Sequence, residues 1–362
     1  MFTFTYIQTK EELKDAVQEW NSETELAIDI ECENNLHHYG AYVSIIQVST
    51  RKKHWIIDVI ECKDIDMFIK IIENKKILKI FHDVSFDIRI LQYQFKCKVK
   101  NVYDTQMAAL LLGKENVGLG SLLEKYFNIQ KERKYQRVDW TKRPLTADML
   151  AYAVKDTAYL FQLKEMLEHE LRAKNRLSWI HQECNHFEDM DFSYREQTYR
   201  DISGVKSMTP KERALFHALF DERKKIAKLV DRPVFMIFTN KQMISFVKNP
   251  PYDIKSWKNL KGVHPVVRDQ ADHFASIVKE ASTKEEELPD VKHKKLTPDQ
   301  YENSKKVIEC RNTVAKKQGI KGHLLLNNEQ VIDIVVEKSM KGIRQWQKEL
   351  VQDKINDILR KK

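Results

Sequence analysis

The sequence predicts an α/β domain with a mixed sheet, followed by two small all-helical domains. Strand and helix patterns alternate over roughly the first 190 residues. Beyond Ser207 the pattern is helical only, and the acidic run "STKEEELPD" divides it into two blocks. The charge divides in the same place. Residues 1–206 carry a net −2 and residues 207–362 a net +11, so all the excess positive charge lies in the second half.

The elements follow in order. "FTFTYI" alternates as a strand does, and "KEELKDAVQEWNS" has helical spacing with Thr9 as its N-cap. "ELAIDIEC", "YVSIIQVST" and "HWIIDVI" read as three strands, placing the antiparallel strands first. "DIDMFIKIIEN" is helical, "KILKIFHD" is a strand, and "SFDIRILQYQF" is the helix it enters. From Val117 onward the α/β part is mostly helical. In the first helical block, Thr209 caps a helix that opens on Pro210, with an amphipathic body from Arg213 to Val230. "FTNKQMISFVKN", "DIKSWKNL" and "HPVVRDQADHFASIVKEA" follow it. The second block runs through "TPDQYENSKKVIECRNTVAKKQGI" and "NNEQVIDIVVEKS" to "GIRQWQKELVQDKINDILRKK". Both blocks go from a long helix through a loop and a short helix to a closing helix, so they read as diverged copies of one type. The expected boundaries are 1–200, 207–283 and 294–362.

Composition excludes several classes. With 42% hydrophobic and 32% charged residues among 362, the chain can build real cores. Its five cysteines are scattered and form no Cys-x-x-Cys pair, which argues against a disulfide framework or a zinc finger. Free thiols fit a reducing compartment, so a cytoplasmic location is expected. No basic start leads into an apolar block, and no apolar stretch reaches about 18 residues, so neither secretion nor membrane spanning is expected.

Within "LAIDIEC", residues 26–32, two acids interrupt an apolar run. Residues two apart on a strand share a face, so Asp29 and Glu31 project together while Ile28 and Ile30 pack the other way. Paired carboxylates repel unless a cation lies between them, and hard oxygen ligands suit Mg²⁺ or Mn²⁺. "FHDVSFDIRIL" places Asp87 at the start of a helix. In "LAYAVKDTAYL", Tyr152 and Asp156 are spaced i, i+4 on one face of an apolar helix.

Asp29-x-Glu31, Asp87 in its "HDxSFD" setting and Tyr152-x-x-x-Asp156 resemble the three motifs of the DEDDy 3′–5′ exonucleases. More closely, the chain resembles ribonuclease D. "YDTQMAALLLG", "GLGSLLEKYFNI" and "VDWTKRPLTADMLAYAVKDTAYL" carry that resemblance, which spans roughly residues 20–175. "DIECENNLHHYG" and "QVSTRKKHWIIDV" are similar to the exosome-associated relative. The two helical blocks resemble paired helicase-and-ribonuclease-D C-terminal (HRDC) domains, the second more weakly.

The resemblance implies a ribonuclease-H-like α/β fold and a 3′–5′ exoribonuclease that trims tRNA precursors and other small structured RNAs. It implies hydrolysis with two divalent cations, Mg²⁺ or Mn²⁺, releasing nucleoside 5′-monophosphates. The implied metal ligands are Asp29, Glu31, Asp87 and Asp156. Asp29 would bridge both ions, Glu31 and Asp156 would complete the nucleophile-side site, and Asp87 would support the leaving-group site. The implied role of Tyr152 is to aim the attacking water. The helical blocks, at net +6 for 207–283 and +7 for 294–362, are expected to give affinity through phosphate contacts. Removing residues 207–362 is then expected to weaken RNA binding, while chemistry on a short strand survives if the truncated domain folds. The expected partners are RNAs with single-stranded 3′ ends, with no membrane and no obligate protein partner. Asp83 is expected to cap the helix that follows it. Arg143 is expected to hold a phosphate or brace its loop, and His82 to face the active site or to serve structurally at a strand end. The competing readings are a 3′–5′ DNA exonuclease of the same superfamily and a catalytically silent RNA-binding protein.

Overall fold

A computed structural model of the chain describes residues 2–130, 134–190, 192, 195–288 and 296–360. The chain divides into two compact units. The first comprises Met1–Glu31, Val43–Tyr194 and Lys294–Lys362; the second comprises Cys32–Tyr42 and Arg195–His293.

The first unit is built on a sheet of β1 (Thr5–Ile7), β2 (Glu25–Asn34), β3 (Ala41–Ser49), β4 (His54–Asp58), β5 (Leu78–Phe81) and β6 (Val102–Asp104). Among the described residues the strand order is β1-β4-β3-β2-β5-β6. β3 and β4 run antiparallel, while β1 lies parallel to β4, β2 to β5 and β5 to β6. The sheet is therefore mixed, as expected, but β1 does not join the antiparallel part. β6 escapes the sequence patterns because three residues are too few to show a period.

Helices α1 (Lys10–Trp20), α2 (Asp66–Glu73), α3 (Val84–Phe95), α4 (Thr105–Leu111), α5 (Leu119–Phe127), α6 (Ala147–Ala158), α7 (Leu160–Ala173) and α8 (Leu177–Asp189) complete the α/β part. Thr9 caps α1 in a reciprocal box with Glu12, as its sequence spacing predicts. β2, central in the sheet, buries Leu26, Ala27, Ile28 and Ile30.

The second unit holds the helices α9 (Pro210–Leu229), α10 (Val234–Ile237), α11 (Asn240–Lys248), α12 (Ile254–Lys258), α13 (Pro265–Asp269) and α14 (Ala271–Ala281). The stretch expected as one closing helix is two, α13 and α14, separated at Gln270. The second helical block consists of α15 (Pro298–Gln318), α16 (Gly322–Leu325), α17 (Asn328–Glu337) and α18 (Gln345–Arg360).

The two blocks repeat one another with an offset of 88 residues. Capping boxes at Thr209 and Thr239 recur at Thr297 and Asn327. Inside the first block, buried Arg223 donates to the Phe238 carbonyl (3.0 Å) and to Asn240 Oδ1 (2.8 Å). Inside the second, Arg311 donates to the Leu326 carbonyl (3.1 Å) and to Asn328 Oδ1 (2.9 Å). Each arginine ties its long helix to the start of the second helix after it, α11 and α17 respectively, compensating its own burial with oxygens at that turn.

The second block belongs to the first unit. One hydrophobic cluster runs from Ile80 of the sheet through Leu167 and Trp179 to Val314, Trp346 and Val351. Trp179 and Trp346 stack, with centroids 4.5 Å apart. Buried Glu183 Oε1 accepts from Trp346 Nε1 (2.8 Å) and Arg344 Nε (2.7 Å). Arg176 joins the Leu111 carbonyl (2.8 Å) to that of Gln318 (2.5 Å). A Cβ on Gly113, whose φ is +79°, would lie 1.9 Å from the Gly319 carbonyl oxygen, so only glycine allows this close approach. Truncation after residue 206 would therefore strip part of the nuclease core, and it is not the clean test of affinity the sequence suggests.

Candidate active site

Both metal-type acids on β2 occupy half-buried positions on one strand face, as the period of two requires. Asp156 comes to them from α6. Thr146 caps that helix, accepting from the Met149 N–H (3.2 Å). The next residue after Asp156 fixes the helix's rotation: Thr157 Oγ1 lies 2.7 Å from Ser49 Oγ on β3. One carboxylate oxygen from each of Asp29, Glu31 and Asp156 then lies within 4.8 Å of the others.

Asp87, in the first turn of α3, is not in that tight group but lies close enough for its electrostatics to matter. Burial pushes its pKa well above the usual carboxylate range, and the charges of Asp29, Asp83, Glu31 and Asp104 push it further. Its Oδ2 is buried with no hydrogen-bond partner among the described residues. An orphaned carboxylate oxygen beside an all-oxygen donor set is the arrangement a hard divalent cation satisfies, so the residues fit Mg²⁺ or Mn²⁺.

Tyr152 lies one turn before Asp156 and is 5% exposed. Its ring packs against Tyr135 (5.1 Å) and Trp140 (6.2 Å). Trp140 belongs to a loop held by Arg143. The guanidinium donates to Asp58 from Nε (2.5 Å) and from a terminal nitrogen (2.7 Å), and to the Trp140 carbonyl (2.7 Å). Tyr6 donates its hydroxyl to the same carboxylate. Burial would raise the Asp58 pKa, but the bonds from Arg143 and Tyr6 outweigh it and hold the pKa below the usual range. Of the two roles the sequence allows Arg143, the structure builds the brace. The segment "QKERKYQRVDW", whose cations beside aromatic residues read from sequence either as an RNA contact or as an exposed charged loop, has Lys131–Arg133 outside the described residues.

The expected capping role of Asp83 is corrected. Its side chain makes no cap bond; it is exposed, with its backbone left-handed at φ +66°. The cap comes from Asp104, whose carboxylate accepts from the N–H groups of Asp83 (3.0 Å) and Val84 (3.3 Å), and from Gln106 (2.8 Å) at the start of α4. Among the described residues the left-handed Asp83 accepts only from the Ser85 hydroxyl (3.4 Å), and a buried aspartate in β6 takes the backbone N–H groups instead. Burial raises the Asp104 pKa to about 6, despite the N–H donors that lower it. Sequence reasoning missed Asp104 as a positioning residue. The signal was available, because "VYDTQMAALLL" embeds an acid in an apolar run just as "LAIDIEC" does. His82 takes a strand-end role, its Nδ1 2.9 Å from Thr105 Oγ1.

A mixed sheet that gathers carboxylates from its central strand and two helices defines a ribonuclease-H-like α/β exonuclease domain. Comparison with known proteins agrees: residues 4–172 match the 3′–5′ exonuclease family and residues 212–278 the HRDC domain. The chain is similar to the ribonuclease D and RRP6 proteins, with its exonuclease match confined to residues 4–172 and one detected HRDC domain. It is 26% identical to the exosome complex exonuclease RRP6 of Saccharomyces cerevisiae over 308 residues, covering 78% of this chain and 42% of that protein. It is 26% identical to ribonuclease D of a Shewanella species over 256 residues, covering 68% of this chain and 64% of that one. The chain thus spans less than half of the RRP6 relative. The crystal structure of Escherichia coli RNase D shares the fold over 99% of both chains, with a TM-score of 0.73 and 20% identity. Among the described residues no helix is long and apolar enough to cross a membrane.

Proposed function

We propose that the chain is a 3′–5′ exoribonuclease that trims tRNA precursors and other small structured RNAs from single-stranded 3′ ends. The observation that carries the reading is the meeting of Asp29, Glu31 and Asp156 within 4.8 Å, beside a buried Asp87 with an orphaned oxygen. The RNA assignment draws on the likeness to ribonuclease D; the Escherichia coli protein is described as an exoribonuclease involved in structured RNA processing.

On this reading Asp29, Glu31 and Asp156 would hold one divalent cation, and Asp87, with Asp29, would serve a second. Bound there, the ions would make water acidic enough to attack at neutral pH and would stabilise charge on the phosphate and the departing oxygen. Tyr152 orients the attacking water, since its phenol is one helical turn from Asp156 and its ring is fixed by Tyr135 and Trp140. The water oxygen bonds to the phosphorus of the terminal linkage as the bond to the preceding 3′ oxygen breaks. That oxygen takes a proton, leaving a 3′ hydroxyl on the shortened RNA and a nucleoside 5′-monophosphate. Asp104 and Arg143 act indirectly, the first by positioning α3 and the second by holding the loop against Tyr152.

We assign chemistry to residues 1–200 and RNA affinity to HRDC-type blocks at 207–283 and 294–362. The repeated capping boxes and the Arg223 and Arg311 bonds support reading the second block as the same type as the first. A 5′-labelled RNA hairpin with an unpaired 3′ tail tests the reading. In Mg²⁺ or Mn²⁺ it is shortened in one-nucleotide steps with release of 5′-monophosphates, and a chelator or Asp29→Asn stops the reaction. Full activity in excess chelator would remove the two-metal reading, and equal or faster loss of a matched DNA would remove the RNA assignment.

A further inference from the structure

β3 carries a buried polar side chain to which the proposed reaction gives no part. Gln47 is 0% exposed, and neither Oε1 nor Nε2 of its amide has a hydrogen-bond partner among the described residues. An unpaired amide in an interior is costly, so a glutamine with both polar atoms idle requires a partner that accepts one bond and gives another.

The sheet shows where that partner lies. Ile45, Gln47 and Ser49 alternate onto one face of β3. Ile45 packs in one cluster with Tyr152 and Ala153 of α6, and Ser49 Oγ reaches Thr157 of the same helix. Gln47, between them, faces the turn of α6 that presents Asp156. β2 neighbours β3 in the sheet, and its acids face the same helix, since they meet Asp156. The hairpin between the two strands closes with the Asn35 N–H on the Gly40 carbonyl (2.8 Å). Asp29 lies six residues before Asn35 and Gln47 seven after Gly40, so they stand level to within one residue, about 3.4 Å along the strand. The other neighbours have nothing to offer the amide. Ile45 and Ile56, which pairs with Gln47 from β4, are apolar. The Ser49 hydroxyl is already engaged by His54 Nδ1 (2.7 Å) and Thr157 Oγ1 (2.7 Å). Two orphaned groups, Asp87 Oδ2 and the Gln47 amide, thus border the same acids.

Resting on the two-cation reading of the site, we propose that Gln47 is a positioning residue of the metal centre. Its Nε2 donates to a ligand carboxylate, and its Oε1 accepts from water held by the ions. A loaded centre supplies both kinds of partner, because carboxylates only accept and metal-bound water donates. A neutral amide does this without adding a further negative charge beside Asp29, Glu31, Asp87 and Asp156, which a glutamate would do.

The test is Mn²⁺ binding to the full-length protein without RNA, read from the electron paramagnetic resonance signal of free Mn²⁺, beside urea titrations in chelator. Asp29→Asn identifies the binding that belongs to the centre. Gln47→Met keeps the length of the side chain and removes both polar atoms. Losing an outer partner of metal ligands weakens metal binding by about 10–100-fold, so the Mn²⁺ dissociation constant of Gln47→Met should rise at least about tenfold. In chelator its urea midpoint should equal or exceed that of wild type, because the metal-free protein gives the amide no bond to lose. Gln47→Leu is measured in parallel and read alone if Gln47→Met does not fold. Wild-type Mn²⁺ affinity in the variants overturns the inference. So does a lower urea midpoint in chelator, or failure of both variants to fold, since the amide would then serve the core. If wild type itself binds no Mn²⁺, the two-cation reading fails and the role of Gln47 with it. If wild type binds and the variants match it, only the role of Gln47 fails.

Discussion

Replacing Trp346 by alanine tests whether the second helical block is part of the nuclease core. The ring is 1% exposed and stacks on Trp179 at 4.5 Å, and its Nε1 donates to buried Glu183. Truncating a buried tryptophan costs about 3–5 kcal/mol. An aromatic pair adds about 0.5–1.5 kcal/mol, and a lost bond to a charged group about 1.5–3 kcal/mol. These contributions overlap, so a loss of about 5 kcal/mol is expected. A whole domain has about 5–15 kcal/mol. Hydrogen exchange is the assay. In wild type, the amides of β5 and of α17 should share high protection, because both elements bound one cluster. In Trp346→Ala both should lose protection together, and the urea midpoint should fall in a single transition. Trp346→Phe keeps much of the stack and deletes the N–H donor, so it should lose less. The reasoning fails if β5 stays protected in Trp346→Ala while residues 296–360 exchange freely, since the block would then be an independent appendage.

Tyr152→Phe keeps the ring packing and deletes one hydroxyl. kcat should fall toward the lower end of about 10²–10⁴-fold with KM little changed, as single-turnover rates on a short RNA would show; a wild-type rate would make the tyrosine a packing residue. Arg143→Ala leaves the buried Asp58 charge without its cation, held only by Tyr6 and the N–H groups of Ile60 and Glu61, and should cost up to about 3 kcal/mol by denaturant titration. Arg143→Lys should not restore the two-pronged contact. Lys79 is 0% exposed on β5, bonded to the carbonyls of Asn74 (2.6 Å) and Ile77 (2.7 Å), and burial lowers its pKa to about 7. Above pH 7, and up to its unfolded pKa near 10.4, the unfolded chain holds a proton that the folded one lacks. Its contribution to stability therefore rises with pH across that window. Urea titrations at pH 7 and pH 9 should show a rise of about 2 kcal/mol in wild type that Lys79→Met lacks; an equal rise in both would refute it.

What the sequence could show was what local geometry decides. Asp29 and Glu31 share a face because a strand has a period of two, and Tyr152 and Asp156 because a helix brings i and i+4 together. Caps at Thr9 and Thr209 are readable because donor and acceptor lie three residues apart. The candidate acids and the order of most elements were therefore legible without a structure.

The remainder depends on surfaces that meet far apart in the chain. Asp104 caps α3 from 20 residues away, and Arg143 finds Asp58 at a separation of 85. The neighbours of Asp104 mark it as a buried acid, but which partner either residue finds is not written there. The two helical blocks look alike in pattern and charge, yet Trp346 of the second packs on Trp179 and its Arg344 pairs with Glu183 of α8. An amphipathic pattern specifies that a face will be buried, not which partner buries it. Shape, a stacked ring and one shared carboxylate decided that the second block joins the nuclease core.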